Sequence, residues 1–335
     1  MSSEVSESGS GSDHSSPAER AAMQRALDLA RRGWGRVAPN PLVGAVVLAG
    51  DGSVGEGYHA EYGGPHAEVV ALEAAGPRAR GGAGKLRAKG VIVSLGLLAE
   101  AAAALNAPFL FAREQAERPF VALKLATSID GRIADAAGSS RWVSGEAARE
   151  YVHWLRAGFD AIAVGGMTAL RDNPQLTVRG RVTPRRPPVR VVFDRRAMLN
   201  QTADLVKTAP EVPTWVMSSP DAPVASVSLL EQSGVRVFRP SSLADGLRAL
   251  RAAGIESVLC EGGGALGAKL LVDGLVDRLY WVQAPVWLGE AAVPAFPGMA
   301  AAPLAAAPRW IPVERRALGP DTLLVLDRRI CLPGS

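Results

Sequence analysis

The residues best suited to chemistry lie in Glu261-Gly262-Gly263-Gly264-Ala265-Leu266-Gly267, between the apolar run Ser257-Val258-Leu259-Cys260 and the helix-forming Ala268-Lys269-Leu270-Leu271. That order of residue types reads as strand, glycine turn, helix. Glycines let the backbone take positive φ and come close to a ligand, and the free amides at a helix start attract anions such as a pyrophosphate. Gly262, Gly264 and Gly267 match G-x-G-x-x-G, a dinucleotide fingerprint when it opens a first strand–helix–strand unit. Here it stands in the last quarter of the chain, so a tight strand-to-helix turn accounts for the pattern as well.

A second candidate is His66-Ala67-Glu68, at the expected start of a helix. In zinc hydrolases of the cytidine-deaminase type, a histidine so placed binds the metal. A glutamate two residues on then moves protons between the zinc-bound water and the substrate. That chemistry also needs two thiolate ligands. The chain has two cysteines, Cys260 in a predicted strand and Cys331 near the C-terminus, so neither a disulfide framework nor a cysteine-rich zinc site is available. No metal site is expected. The alternative reading of His66 and Glu68 is a helix N-terminus at which the dipole favours a carboxylate.

With 335 residues, 48% hydrophobic and 21% charged, the chain is long enough for two domains with real cores. Its formal charge of +4 comes from scattered arginines, without the dense basic block and interleaved aromatics that mark nucleic-acid binding. Small phosphate-bearing ligands are the expected partners. There is no basic-plus-apolar leader and no apolar stretch of membrane length, so a soluble protein of a reducing cytoplasm is expected, with no membrane partner.

Residues 1 to 15 are Ser, Gly and acidic residues, a composition that predicts a disordered tail. Ser16-Pro17-Ala18-Glu19 supplies an N-cap, a first-turn proline and a capping-box glutamate, and Gly33 ends the helix. Leu42 to Leu48 and Ser53 to His59 read as two strands joined by Ala49-Gly50-Asp51-Gly52, with a helix beginning near Pro65. Further on, strands are predicted at Phe120 to Ala126, Asp160 to Gly165, Val189 to Asp194 and Pro213 to Met217, with closing strands at Leu279 to Val286 and Thr322 to Leu326. Helices are predicted at Glu146 to Arg156 and Ser242 to Ala253.

Several stretches in order resemble a known family. Ala38-Pro39-Asn40-Pro41-Leu42-Val43-Gly44-Ala45-Val46-Val47, Gly55-Glu56-Gly57-Tyr58-His59 and Pro65-His66-Ala67-Glu68 look like the deaminase half of the bacterial bifunctional riboflavin-biosynthesis deaminase-reductases. Lys124-Leu125-Ala126-Thr127-Ser128-Ile129-Asp130-Gly131, Ser139-Ser140-Arg141-Trp142-Val143-Ser144-Gly145 and Met167 through Arg179 look like the reductase half. The resemblance runs from about Ala22 to Val325, with one departure. Gly76-Pro77-Arg78-Ala79-Arg80-Gly81 passes almost directly into Gly84-Lys85-Leu86-Arg87-Ala88-Lys89-Gly90-Val91, so the family segment that carries both zinc cysteines has no counterpart. The resemblance implies a truncated, degenerate deaminase-like α/β domain over 16–115, then a dihydrofolate-reductase-like α/β reductase domain over 116–335.

By the same resemblance the reaction is an NADPH-dependent reduction of the ribosyl group of 5-amino-6-(5-phosphoribosylamino)uracil, with deaminase activity lost and no zinc bound. Lys124 and Glu261 then carry the proton chemistry, Lys124 as donor and Glu261 as acceptor of hydrogen bonds from the aminouracil. Ser140, Arg156, Leu176 and Arg179 join Glu261 around the substrate, the two arginines on its phosphate. Thr127, Trp142, Thr168, Asp172 and the run Gly263, Gly264, Ala265, Leu266, Gly267 hold the cofactor. After Asp194 the chain has Arg195-Arg196 where the family often has serine. Arg195 is either a partner of the cofactor 2′-phosphate or a solvated charge. The family tends to form homo-oligomers through its reductase domain. Two rival readings stand beside this one: a reductase of the same fold acting on a pterin or another phosphoribosyl compound, and a non-catalytic binding protein.

Overall fold

The computed structural model describes residues 15–49, 52–76, 95–115, 117–140, 143–300 and 302–328. The predicted tail up to residue 14, the junction over 77–94, Trp142 and Cys331 lie outside them. The chain divides into two compact units, one made of residues up to Gly33 and Pro39–Leu105, the other of Trp34–Ala38 and everything from Asn106 onward. The second unit thus begins before residue 116 and recovers a short stretch from far upstream.

In the first unit, helix α1 (Pro17–Ala30) starts with the expected capping box: the Glu19 amide donates to Ser16 Oγ at 3.2 Å and the Ser16 amide to Glu19 Oε2 at 2.7 Å. Strands β1 (Gly44–Ala49) and β2 (Gly52–Tyr58) form the predicted antiparallel hairpin. Helix α2 (Ala67–Ala75) begins at His66 as read from the sequence, and helix α3 (Ala99–Leu105) closes the unit. The glycines of the hairpin are where the helices touch it. A Cβ at Gly44 would fall 1.9 Å from the carbonyl of Ala26 in α1. At Gly55 and Gly57 it would fall 2.2 and 2.4 Å from carbonyls of Ala71 and Ala67 in α2. Cross-strand partners share a face of the ladder, and Gly44 pairs with Tyr58 while Gly57 pairs with Ala45. The hairpin is therefore covered by α1 on one face and α2 on the other.

The second unit opens with α4 (Ala107–Glu114) and is built on a nine-stranded sheet. Its members are β3 (Phe120–Thr127), β5 (Ala161–Gly165), β6 (Val189–Phe193), β7 (Thr214–Met217), β8 (Arg236–Phe238), β9 (Ser257–Cys260), β10 (Arg278–Gln283), β12 (Ile311–Leu318) and β13 (Asp321–Asp327). A short pair, β4 (Arg132–Ala134) with β11 (Val293–Pro294), stands apart. The order is β12-β13-β10-β3-β9-β5-β6-β7-β8, parallel throughout except for the hairpin β12–β13 at one edge. Both faces of the parallel part are buried, so its strands read as continuous apolar runs. Ala161 and Ala163 join the core on one side with Leu123, Leu247, Leu250 and Leu270, while Ile162 and Val164 face Val192, Leu205 and Leu230 on the other.

The crossovers are α5 (Glu146–Ala157), α6 (Gly166–Asp172), α7 (Asp204–Lys207), α8 (Val224–Gln232), α9 (Leu243–Ala252) and α10 (Gly264–Val272). The chain steps outward from β5 to β8, then returns to lay β9 between β5 and β3. That reversal makes the carboxyl ends of β3, β9 and β5 the crevice where ligands bind in open α/β sheets. Helix α5 starts at Gly145, which has no side chain to cap it, and Asp321 of the edge hairpin accepts the Gly145 amide at 2.7 Å instead. No helix among the described residues is long and apolar enough to cross a membrane.

Candidate active site

The glycine turn is built between two strand ends. The Glu261 amide donates to Ala163 O in β5 at 2.8 Å, and the Gly165 amide to Gly262 O at 3.2 Å, so the turn leaves β9 while bonded to its neighbour. Gly262 and Gly263 have φ of 103° and 72°, values only glycine adopts without strain. Gly263 is the N-cap of α10, and a Cβ there would meet Thr168 Oγ1 of α6 at 2.8 Å. Gly264 is closely packed on the side where a side chain would stand. Its pro-Cβ direction is filled by Ala295 O and Pro297 Cδ, each at 2.8 Å, and by Ile133 Cδ1 at 3.0 Å. Gly267 likewise lies 3.4 Å from Leu123, so these two glycines serve packing while Gly262 and Gly263 shape the turn. Exposed Ala265 and half-buried Leu266 follow on the first turn of α10. Thr127, at the end of β3, is fully buried, and its hydroxyl has no hydrogen-bond partner. An orphaned hydroxyl at a strand end and a turn of amides beside a helix start fit a phosphate-bearing cofactor.

At the start of the turn, Arg156 of α5 holds Glu261 in a bidentate pair, Nε to Oε1 at 2.5 Å and Nη2 to Oε2 at 2.7 Å. Its Nη1 donates to Thr177 O at 2.7 Å. Arg156 and Glu261 were read from the sequence as separate contacts to phosphate and aminouracil; the fold joins them. Burial pushes the Glu261 carboxyl up, but Arg156 and then Lys124 outweigh it and hold it below the usual carboxylate range. Lys124, half-buried on β3, is pulled below the ordinary lysine range by desolvation first, with Glu261 opposing and Arg156 adding to the fall. Two cations thus share one carboxylate, which stays ionised.

The loop after α6 completes this side. Asn173 and Leu176 have positive φ, 41° and 50°, and Leu176 is buried. Asn173 Oδ1 accepts the Asp204 amide at 2.9 Å, and Arg190, buried on β6, donates to Thr208 Oγ1 at 2.7 Å and Val212 O at 2.6 Å while reaching Gln175 O at 3.5 Å. Arg179 is exposed and leans on Thr177 Oγ1 at 3.3 Å and on Gln175 Oε1. Ser140 and Asp172 are exposed, and Thr168 is half-buried. Arg195 is exposed, and its carbonyl accepts the Ser219 amide at 2.9 Å. Asp194 accepts the amides of Met198 at 2.6 Å and Leu199 at 2.9 Å, which ties down the loop after β6. Sequence reasoning passed over His153, one turn before Arg156. Its spacing of three from an arginine on a predicted helix was the available signal.

In the first unit, His59 is locked by its neighbours. Nδ1 lies 3.0 Å from Pro65 O, which can only accept, so Nδ1 carries the proton and Nε2 accepts from Asn40 Nδ2 at 3.2 Å. His66 is exposed, 3.6 Å from Glu68 Oε1, with its ring 6.0 Å from that of His59.

A glycine turn next to a half-buried lysine–glutamate–arginine cluster at the ends of parallel strands and a crossover helix, preceded by a helix–hairpin–helix unit, defines a two-part α/β enzyme. Residues 119–324 match the RibD C-terminal domain family, and residues 16–95 match the cytidine and deoxycytidylate deaminase zinc-binding region. The riboflavin biosynthesis protein RibD of Bacillus amyloliquefaciens is 33% identical over 322 positions, covering 81% of this chain and 86% of its own. That of Synechocystis is 32% identical over 349 positions, covering 90% and 94%. Among solved structures, Acinetobacter baumannii RibD (form 1) superposes with a TM-score of 0.73 at 31% identity, covering 92% of this chain and 98% of that one. The Thermotoga maritima diaminohydroxyphosphoribosylaminopyrimidine deaminase/5-amino-6-(5-phosphoribosylamino)uracil reductase gives a TM-score of 0.72 at 29% identity, with the same coverage. The chain belongs to the RibD family.

Proposed function

We propose that the protein reduces the ribosyl group of 5-amino-6-(5-phosphoribosylamino)uracil with NADPH, as a cytoplasmic homo-oligomer in riboflavin biosynthesis, and that its N-terminal half does not deaminate. The observation that carries the reductase reading is the Lys124–Glu261–Arg156 cluster beside the glycine turn in a chain of the RibD family. NADPH, when bound, supplies the hydride for C1′ of the substrate. Gly263 to Gly267 would hold its phosphates through backbone amides, with Thr168 and Thr127 as side-chain contacts. Lys124 donates the proton that the ring-opened imine nitrogen needs as C1′ is reduced, and ionised Glu261 accepts hydrogen bonds from the aminouracil. Arg156 fixes Glu261 in place, and Arg179 meets the substrate phosphate from the loop.

The proposed loss of deamination is supported by the ligands at hand. Of two cysteines in the whole sequence, Cys260 is buried in β9 with its thiol pushed up to about 12 by desolvation, and catalytic zinc of this type needs two thiolates. His59 already spends both ring nitrogens. The alignment with the Bacillus protein runs over 322 positions yet takes up 81% of this 335-residue chain, so that relative has positions with no counterpart here. The test is NADPH oxidation measured with the deaminated and the non-deaminated pyrimidine side by side, together with zinc analysis. Oxidation with the deaminated substrate, and no ammonia from the other, is expected. About one zinc per chain, or ammonia release abolished by Glu68→Gln, would refute the loss of deamination.

A further inference from the structure

The short pair β4–β11 lies at the ends of two loops that leave neighbouring parallel strands. One loop follows β3 and enters β4 directly; the other follows β10 and leads to β11. Backbone bonds join their bases, the Ala284 amide to Thr127 O at 2.8 Å and the Ile129 amide to Val286 O at 3.0 Å. Asp130 adds the side-chain link. Its Oδ1 accepts the Ser128 hydroxyl at 2.5 Å and the Leu288 amide at 3.2 Å, and its Oδ2 accepts the Gly289 amide at 2.8 Å. Ser128 Oγ in turn accepts the amide of Arg132, the first residue of β4, at 2.9 Å. One carboxylate thus holds both loops, with Arg132 Nε 3.9 Å from it.

The far ends of the same loops pack on the glycine turn. Ala295, just past β11, donates its amide to Gly131 O at 3.0 Å. Its carbonyl and Pro297 Cδ fill the space a Gly264 side chain would take, each 2.8 Å from it, and Ile133 Cδ1 of β4 closes that space at 3.0 Å. Thr127, whose buried hydroxyl is unpartnered, directly precedes Ser128. The two loops therefore form one piece whose root carries Thr127 and whose tips back the first turn of α10.

We propose that Asp130 is a positioning residue of the cofactor site: by clasping the loops after β3 and β10 it seats the β4–β11 pair against Gly264, fixes Thr127, and so sets the cradle for the NADPH phosphates. This rests on the reading of the glycine turn as that cradle. Glycines at positive φ leave a turn many conformations to lose on binding, and a rigid backing removes that cost beforehand. Hydrogen bonds to an ionised carboxylate suit the task, being roughly twice as strong as neutral ones. The Ser128 hydroxyl first, with the Gly289 and Leu288 amides after it, holds the Asp130 carboxyl below the usual carboxylate range against desolvation, so the clasp is ionised at neutral pH.

NADPH dissociation, read by tryptophan fluorescence quenching beside melting curves, compares the wild type with Asp130→Ala and Asp130→Asn. Asp130→Ala should weaken NADPH binding about tenfold, the equivalent of one well-placed contact, and change KM for the phosphorylated substrate by less than about twofold. Asp130→Asn should recover most of the loss, because its amide oxygen still accepts from Ser128 and Leu288. Hydrogen exchange in the wild type decides even if neither variant folds. Coupling between sites is reciprocal, so NADPH should slow amide exchange in both loops, over 128–134 and 288–295. A folded Asp130→Ala that binds NADPH within about twofold of wild type, equal weakening of both ligands, no recovery in Asp130→Asn, or unchanged exchange in the two loops overturns the proposal. Gly263→Ala separates the two readings. If it weakens NADPH binding while Asp130→Ala does not, only the clasp fails. If the wild type does not bind NADPH, or Gly263→Ala binds it equally well, the cradle reading fails and the clasp with it.

Discussion

Lys124, Arg156 and Glu261 form a small electrostatic unit in which removing the single anion strands two cations. Replacing Glu261 by Gln should cost about 3 kcal/mol of stability, because breaking a buried pair leaves an uncompensated charge, and a denaturant melt would measure it. The pH dependence of kcat shifts in a definite direction. Glu261 holds the Lys124 pKa up against desolvation, so its loss lowers that pKa further. A proton donor must be charged to act, so the alkaline limb of the profile should move to lower pH in Glu261→Gln. An unmoved limb would take the donor role from Lys124. Arg179, exposed at the end of its loop, should behave otherwise. Arg179→Ala is expected to raise KM for the phosphorylated substrate by the equivalent of about 1.5–3 kcal/mol, with little change in NADPH affinity or melting temperature. Equal effects on both ligands would reassign it.

At the scale of elements, the turn between β9 and α10 separates two kinds of glycine. A side chain at Gly264 collides with Ala295, Pro297 and Ile133, so Gly264→Val should destabilise by about 1–3 kcal/mol through overpacking. Any loss of NADPH binding would then follow from lost folding. Gly263 is the better probe of the cradle, because its pro-Cβ direction meets the Thr168 hydroxyl at 2.8 Å and its φ of 72° disfavours any other residue. Gly263→Ala should weaken NADPH binding in a protein that still folds, read by tryptophan fluorescence quenching beside a melting curve. A folded Gly263→Ala that binds NADPH as tightly as wild type would return the turn to a purely structural role. The hairpin β12–β13 matters to this site for a different reason, since Asp321 caps the helix that carries His153 and Arg156.

At the scale of the molecule, the larger unit is completed by residues from outside its main stretch. Trp34 stacks on Trp154 with ring centroids 4.7 Å apart, meets Phe159 edge-on at 6.3 Å, and donates Nε1–H to Trp154 O at 2.8 Å. Gly158 is required beneath it, since a Cβ there would lie 2.0 Å from the indole. Phe111 of α4 packs edge-on to Phe120 at 5.6 Å and is buried. A fragment cut at the sequence-read boundary of residue 116 lacks both aromatics, and Trp34→Ala in the full chain should cost about 3–5 kcal/mol. Thermal melts of the 116–335 and 34–335 fragments would show it, the longer melting markedly higher; equal melting temperatures would refute the role given to Trp34 and α4.

What the sequence determined by itself was mostly local or carried by several motifs in order. The capping box at Ser16, the hairpin, the start of α2 at His66 and the strand–glycine–helix passage around Glu261 depend on neighbouring residues, and short-range propensity suffices to read them. The reductase-family assignment was legible for the same reason, because the motifs follow one another along the chain. The edge strand β12 was not legible: its run Ile311–Leu318 carries Glu314, Arg315 and Arg316, a charged pattern that depends on pairing with β13 to be a strand. Nor was the union of Arg156 with Glu261, residues far apart in the chain that meet because β9 returns between β5 and β3. The direction a Gly264 side chain would take and the packing of Trp34 on Trp154 are likewise long-range facts. Sequence supplies the residue types and local spacing; which of them share a space of a few ångströms is set by sheet order and helix packing, and only the tertiary structure holds that information.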